Sequence, residues 1–553
     1  MKLIRVCGLL LLFAVLGAAQ PSISNVVNSA SGITQGLPNG AIAQGAIFLV
    51  TGSGLGPSSI VFDSTPFQDT SVGGTSVSIT VNSTTVTAPM YYSLATQVAA
   101  LLPSNTPTGT GTVTVTYNGQ TSATAPITVV QNNPGIFTAS QNGQGVAIVT
   151  YPDGGIVSPF KAASCTGVYT FCGAANPGDI VTLWATGLGP VSGNETAGAG
   201  LGVNMESIPL VLWLGGVQAQ ITFQGRSGYI GLDQINFIVP SGGPTGCAVP
   251  LALQVGNMVS NYTVIPVANT SRTCTPSNPV LAGVAQNLIA NTGPISYGQI
   301  VLKRQLASAS SGLQYADVGQ ASFAQITVSA QIQPLLLSYL DSEPLGTCLV
   351  ANSLSPPNAL PTLTTAGIDA GRISVSGPAG LQVMTEHLGF GQATQYVATF
   401  SQSGTYFSGG QYTVTGAGGS PGGTSTGGFT VKFTITQTPS WTSQEQFTIS
   451  SGITRANGAT INWNNPSSNY YVEIDGTAST DNTFTTGAVF SCVVPASAGT
   501  FTIPPSVLQA LPATVYSEIS FKPTLNPVPF TADGLNLGSV TLNYETSLFT
   551  PFL

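Results

Sequence analysis

Any nucleophile relay in this 553-residue chain would have to use one histidine, His387 in the stretch MTEHLGF. A Ser-His-Asp or Cys-His system needs that imidazole as its base. No G-x-S-x-G elbow supplies the serine, and GRSGYIG does not fit the pattern. Beside Glu386, the histidine reads as a surface or packing residue. Zinc hydrolysis is equally unsupported, since zinc sites draw on several histidines or on paired C-x-x-C cysteines. No residue is assigned a catalytic role.

The densest acidic stretch is VEIDGTASTDNTF, with Glu473, Asp475 and Asp481. On a strand, Glu473 and Asp475 point to the same face. Three readings compete. The leading one is a solvated hairpin tip. The second is a calcium site with Glu473, Asp475 and Asp481 as oxygen ligands, although the D-x-D-x-D-G spacing of a calcium loop is missing. The third is a carboxylate pair for glycoside hydrolysis. Trp441, Trp463, Tyr470 and Tyr471 lie nearby in polar surroundings. Exposed, such rings would stack on sugars; the competing reading places them in the core. Trp184 and Trp213 sit inside strand patterns and are predicted to be core.

Two glycine-rich stretches raise the question of phosphate binding. GAIFLVTGSGLGP (45–57) and GDIVTLWATGLGP (178–190) align without a gap. A phosphate loop leads from a strand into a helix, whose first N–H groups hold the anion. Here the chain continues as SSIVFD and as VSGNETAGAG, neither of them helical. Both stretches are therefore predicted to be structural turns, in which glycine takes positive φ and proline stops the strand.

The elements that must position these residues read as strands. Apolar and polar residues alternate in SVSITVNSTTVTA, GTVTVTYNGQTSATAPITVV, IPLVLWLGGVQAQITF and GGFTVKFTITQT, the mark of a half-buried strand. YNGQ carries the Asn-Gly signal of a tight hairpin. Long helical periodicity is lacking, and only SVLQALPATV suggests a helical turn. The two glycine stretches are followed by a second match, TQVAALLPS (96–104) with DQINFIVPS (233–241), so one β unit occurs twice. The expected organisation is a leader at 1–19, β-sandwiches at 21–131 and 132–270, a short linker, and a larger β-rich region at 281–553. The fold class is all-β, with tandem immunoglobulin-like sandwiches ahead of that region.

Charged residues make up 5% of the chain, against about 25% in an ordinary globular protein. Helix surfaces normally need those residues. The net charge is −8, and the eleven Lys and Arg form no cluster, which excludes nucleic acid as a partner. Mean hydropathy is +0.31. The one long apolar run, MKLIRVCGLLLLFAVLGAAQP, has the charged start, apolar centre and small-residue end of a secretory signal. No membrane span is expected after its removal. The leader takes Cys7 with it and leaves Cys165, Cys172, Cys247, Cys274, Cys348 and Cys492. An even count in an exported chain suggests disulfides, and locality favours 165–172, 247–274 and 348–492.

The stretches ISNVVNSAS, NNPGIFTASQNGQGVAIV, PGDIVTLWATGLGPV and GLDQINFIVP follow in order. Across residues 22–268 the chain resembles a tandem β-domain family of exported acidobacterial proteins, related to IPT/TIG immunoglobulin-like domains. The final region, with TPSWTSQEQFTI, GATINWNN and ASAGTFTIPPSVLQALP, resembles the β region that accompanies it in some members. The resemblance implies secretion and an immunoglobulin-like fold, and brings no catalytic residues and no cofactor. The sequence thus points to an exported, non-catalytic scaffold or binding protein of the cell surface or extracellular space. Its partner would be a surface protein or a polysaccharide. The alternatives are a carbohydrate-binding array using the C-terminal aromatics and a polysaccharide-degrading enzyme.

Overall fold

The computed structural model describes residues 20–161, 172–192, 195, 204–290, 293–309, 312–327, 333–354, 364–387, 394–420 and 424–553. The expected leader at 1–19 and Cys165 lie outside these residues. The fold is all-β and multi-domain. Near the N-terminus two sheets face each other. One runs in the order Ser22–Asn28, Ile47–Ser53, Gln97–Leu101, Met90–Leu94, Val61–Phe62; the other in the order Ile42–Ala43, Ala125–Val130, Gly109–Tyr117, Thr75–Val81, Thr84–Thr87. The alternation in Thr75–Val81 is obeyed residue by residue, with Val77, Ile79 and Val81 fully buried. The Asn-Gly turn closes the predicted hairpin: Asn118 and Gly119 take φ of 48° and 80°, and Tyr117 pairs with Gln120.

A second, separate core holds Val181, Leu183, Ile235, Phe237, Leu251 and Ile265 among others. Its strand Val217–Arg226 pairs first with Leu210–Leu214 and then, from Gln220 onward, with Asp233–Ile238, in a ladder broken by a bulge between Ile221 and Phe223. One strand thereby serves both layers of the sandwich.

Both glycine-rich stretches are structural turns. The strands Ile47–Ser53 and Ile180–Thr186 end in bends, and no helix follows them directly among the described residues. The leucines of the turns, Leu55 and Leu188, are fully buried. A side chain at Gly189 would meet Asn132 Nδ2 at 2.6 Å, and its φ is 141°. Instead of a phosphate, a buried guanidinium gathers the two repeats. Arg226, 1% exposed, donates from Nε to Asp233 Oδ1 at 2.8 Å, from Nη1 to the carbonyl of Gly45 at 2.8 Å and from Nη2 to that of Gly189 at 2.9 Å. Glu195 stands 3.5 Å from Nη1 and accepts from the Ser104 amide and hydroxyl. Tyr91, Asn39 and Asn133 add hydrogen bonds from one unit to the next.

From Ile295 onward a fifteen-stranded sheet dominates. Its centre is the long antiparallel hairpin Ile295–Ala309 and Gly312–Thr327; Leu537–Tyr544 runs parallel beside the first of these. Ahead of it stands a helix, Pro279–Ala290, that strand-type reading does not anticipate. Asn278 caps it, accepting from the amides of Val280 and Leu281, and Pro279 opens it. Its buried face, Val280, Leu281, Ala285 and Leu288, packs near the Cys247–Cys274 disulfide. The short helix Pro505–Gln509 overlaps the start of the one stretch expected to turn helically. Among the described residues two disulfides form as locality suggested, Cys247–Cys274 and Cys348–Cys492, with Cα–Cα distances of 5.2 and 4.0 Å.

Removing the guanidinium would leave Asp233 and Glu195 as buried, uncompensated charges. Arg226→Ala is therefore expected to destabilise the two N-terminal units by about 3–5 kcal/mol. Urea unfolding followed by tryptophan fluorescence measures this; a loss below about 1 kcal/mol would contradict the role given to Arg226.

Candidate functional site

The strand Tyr470–Ser479 lies between Gly487–Pro495 and Ser517–Leu525. Alternation buries Val472, Ile474 and Ala478 on one face. Glu473, Asp475 and Thr477 occupy the other, as predicted for the two acids. Register then decides their neighbours. Glu473 pairs across the strands with Lys522 and Val493, and Asp475 with Ser520 and Ser491. Lys522 Nζ sits 2.8 Å from Asp475 Oδ2 and 3.3 Å from Glu545 Oε1. Over this face lies a pocket of about 610 Å³ lined also by Asp341, Glu343 and Glu518. In a chain with 5% charged residues, six carboxylates and one lysine meet here.

Glu343 reaches the pocket from a distant loop, and two links hold that loop. The strand Thr347–Ala351 pairs with Gly487–Pro495, and the disulfide joins the directly opposed residues Cys348 and Cys492. Asp341, 4% exposed, accepts from the amides of Cys247 at 3.1 Å, Ser277 at 2.8 Å and Asn278 at 3.0 Å. It thus fastens the loop to the second sandwich and to the cap of the helix.

The electrostatics follow from crowding. Glu343 is 8% exposed, and its Oε1 has no hydrogen-bond partner. Burial, reinforced by the charges of Glu473 and Asp475, pushes its carboxyl up to about 8. Glu473 is raised to about 7 by its own burial and by Asp475, with Lys522 pulling the other way. Its side chain is half-buried on the pocket face. Asp341 is raised to about 6 by burial, offset in part by its three amide donors. Burial works against charge on Lys522, yet Asp475 and Glu545 overcome it and hold the ammonium protonated.

The other expected site residues divide differently. Asp481 is exposed outside the pocket and accepts from the Thr483 amide at 2.8 Å and hydroxyl at 2.5 Å, which hold its carboxyl below the usual value. It belongs to the solvated tip. Among the described residues no group of three His, Cys, Asp or Glu side chains could hold a metal ion, so the calcium reading of Glu473, Asp475 and Asp481 is corrected. The aromatic platform is corrected too. Trp441 and Trp463 are each 5% exposed and are cross-strand partners. Both pack against Phe521, with centroids at 5.9 and 5.7 Å. Their indole N–H groups are satisfied by Ser443 and by the carbonyl of Ala496. Tyr470 is buried as well, and only Tyr471, half-buried on the Glu473 face, keeps some exposure. An exposed ring lies elsewhere, at Phe62 beside Tyr92. His387 ends the strand Gly380–His387. Sequence reasoning missed Glu343, Lys522, Glu545 and Asp341. Lys522 and Glu545 are rare charges near strand patterns, which is the one signal that could have marked them.

No protein-family model matches the chain, and no curated protein matches it. Among solved structures it is similar to SGBP-B from a complex xyloglucan utilization locus in Bacteroides uniformis, at 12% identity over 69% of this chain and 86% of that one, with a TM-score of 0.16. It is also similar to domains 5–6 of the S-layer protein SbsC, at 15% identity over 45% and 100%, TM-score 0.16. A third is the Sidekick-1 immunoglobulin domains 1–5, at 10% identity over 92% and 97%, TM-score 0.12. Likeness at this level says nothing about ligand or activity, and the fold rests on the sheets and cores described above.

The raised carboxyls give stability a definite pH dependence. Between about 4.5 and about 8, folded Glu343 binds more protons than it does in the unfolded chain, so stability falls as pH rises through that window. Glu473 and Asp341 act in the same direction over narrower windows; Asp475, Glu518, Glu545 and Lys522 are the other charges facing the pocket. At about 1.4 kcal/mol per pKa unit the combined effect is a few kcal/mol. The thermal midpoint is expected to be lower at pH about 8.5 than at pH about 5.5, and Glu343→Gln to raise the midpoint at the higher pH and flatten the slope. A midpoint that rises with pH over this range would contradict the burial of Glu343 as an uncompensated acid.

Proposed function

We propose that this chain is an exported, non-catalytic binding protein of the cell surface or extracellular space. The observation that carries this is the state of the carboxylates. Asp475, which would be the nucleophile or base of a hydrolytic pair, is held by Lys522 Nζ at 2.8 Å, in a seven-charge pocket built on a rigid sheet and tied down by a disulfide. Such an arrangement suits holding a ligand better than turning one over. Two disulfides support an oxidising compartment. Among the described residues no helix is long and apolar enough to cross a membrane. The resemblance of residues 22–268 to exported acidobacterial tandem β-domains of IPT/TIG type supports the same reading. The partner is a surface protein or a polysaccharide.

The test is an end-group assay of the chain from Gln20 onward on a panel of polysaccharides, alongside retention on the same polymers and on intact cells. Retention without new reducing ends is expected. Cleavage that disappears in Glu473→Gln would contradict the non-catalytic reading.

A further inference from the structure

A binding pocket also carries information about what it binds. Glu343 lines the pocket, and although its own amide and Ser491 reach the carboxyl, its buried Oε1 has no hydrogen-bond partner. A buried polar atom without a partner is costly, on the order of 1–3 kcal/mol and more when charged. Around it the wall is acidic: Glu473, Asp475, Glu518 and Glu545, with Lys522 as the single base. Asp341 is different, because three backbone amides already consume its charge. Lys522 is thus the one ammonium set against six carboxylates on the lining, and the pocket has room, about 610 Å³, for more than an ion.

The geometry separates two kinds of cation. A metal ion needs several oxygen ligands converging within coordination distance. Among the described residues no three carboxylates converge in that way. The acceptors are instead distributed along two cross-strand rows and the opposing loop. Half-buried Val489 and Leu354 add apolar wall between them. We propose that the pocket takes an organic cation of the alkylammonium class, a chain with N–H donors separated by methylenes, which donates to Glu343 and lies along the acidic wall. This rests on the reading of the protein as a binder and names the ligand chemistry of the same pocket.

Several consequences set this apart from a merely acidic surface. A cation beside Glu343 favours its ionised form, so binding near neutral pH releases a proton. Affinity falls with ionic strength, though less steeply than for exposed pairs. A neutral molecule of the same length gains neither effect.

Calorimetry on the chain from Gln20 onward, with 1,5-diaminopentane as the probe and pentane-1,5-diol and calcium chloride as controls, tests the proposal. The diamine is expected to bind one per chain, with proton release seen as a dependence of the heat on buffer ionisation. Glu343→Gln is expected to weaken it at least tenfold, and Glu473→Gln to weaken it by a smaller factor. Circular dichroism confirms that each variant is folded. Equal diamine binding by Glu343→Gln and the parent would overturn the proposal, as would calcium binding that displaces the diamine. Diol binding as tight as diamine binding would overturn the cation while leaving the binder reading intact. Glu473-dependent cleavage of a polysaccharide would overturn the binder reading itself.

Discussion

Taking a charge out of water is costly unless a partner replaces the water, and this chain has few charges with which to do so. Where they are buried, they organise the molecule. Arg226 is the clearest instance: one guanidinium satisfies Asp233, two turn carbonyls and the approach of Glu195 in the space between the repeated units. The two carbonyls belong to Gly45, in the turn ahead of strand Ile47–Ser53, and to Gly189, in the turn after Ile180–Thr186, and the positive φ of both glycines permits that approach. Replacing such a network by an apolar core would be tolerable only if every member went together.

The acidic pocket follows the opposite logic. Its sheet face is fixed by alternation, its cross-strand neighbours by register, and its roof by Cys348–Cys492 and Asp341. The charges so assembled are not fully matched. Lys522 answers Asp475 and Glu545, while Glu343 is left with an empty acceptor. The fold thereby retains a destabilising feature in one place, which is the usual mark of a site maintained for a ligand.

Much of the fold was legible because strands write their burial into sequence at period two. Phe429–Ile435 alternates buried and exposed at every position, as its sequence FTVKFTI suggests. The hairpin at Asn118–Gly119 and the turns at Gly54 and Gly187 were legible through backbone conformations that only certain residues accept readily. The helix Pro279–Ala290 was harder: it has no acidic residue in its first turn and no basic residue in its last, and only Asn278 and Pro279 mark its start. At the site, the shared face of Glu473 and Asp475 is local and was readable. Their meeting with Glu343 and Lys522 is not local. It depends on a strand pairing that spans more than a hundred residues, and the disulfide closing it has a sequence separation of 144. The tryptophans misled because polar neighbours in sequence point away from the core that Trp441 and Trp463 share with Phe521.

Glu343 is a buried acid whose Oε1 has no hydrogen-bond partner and whose carboxyl is pushed up by that burial. Carbon-13 NMR of the glutamate side-chain carboxyls, compared between the parent and Glu343→Gln to assign the resonance, tests it most directly. The account expects one carboxyl that stays protonated through neutral pH and titrates near 8. A Glu343 resonance that titrates near the ordinary glutamate value, about 4.3, would contradict it.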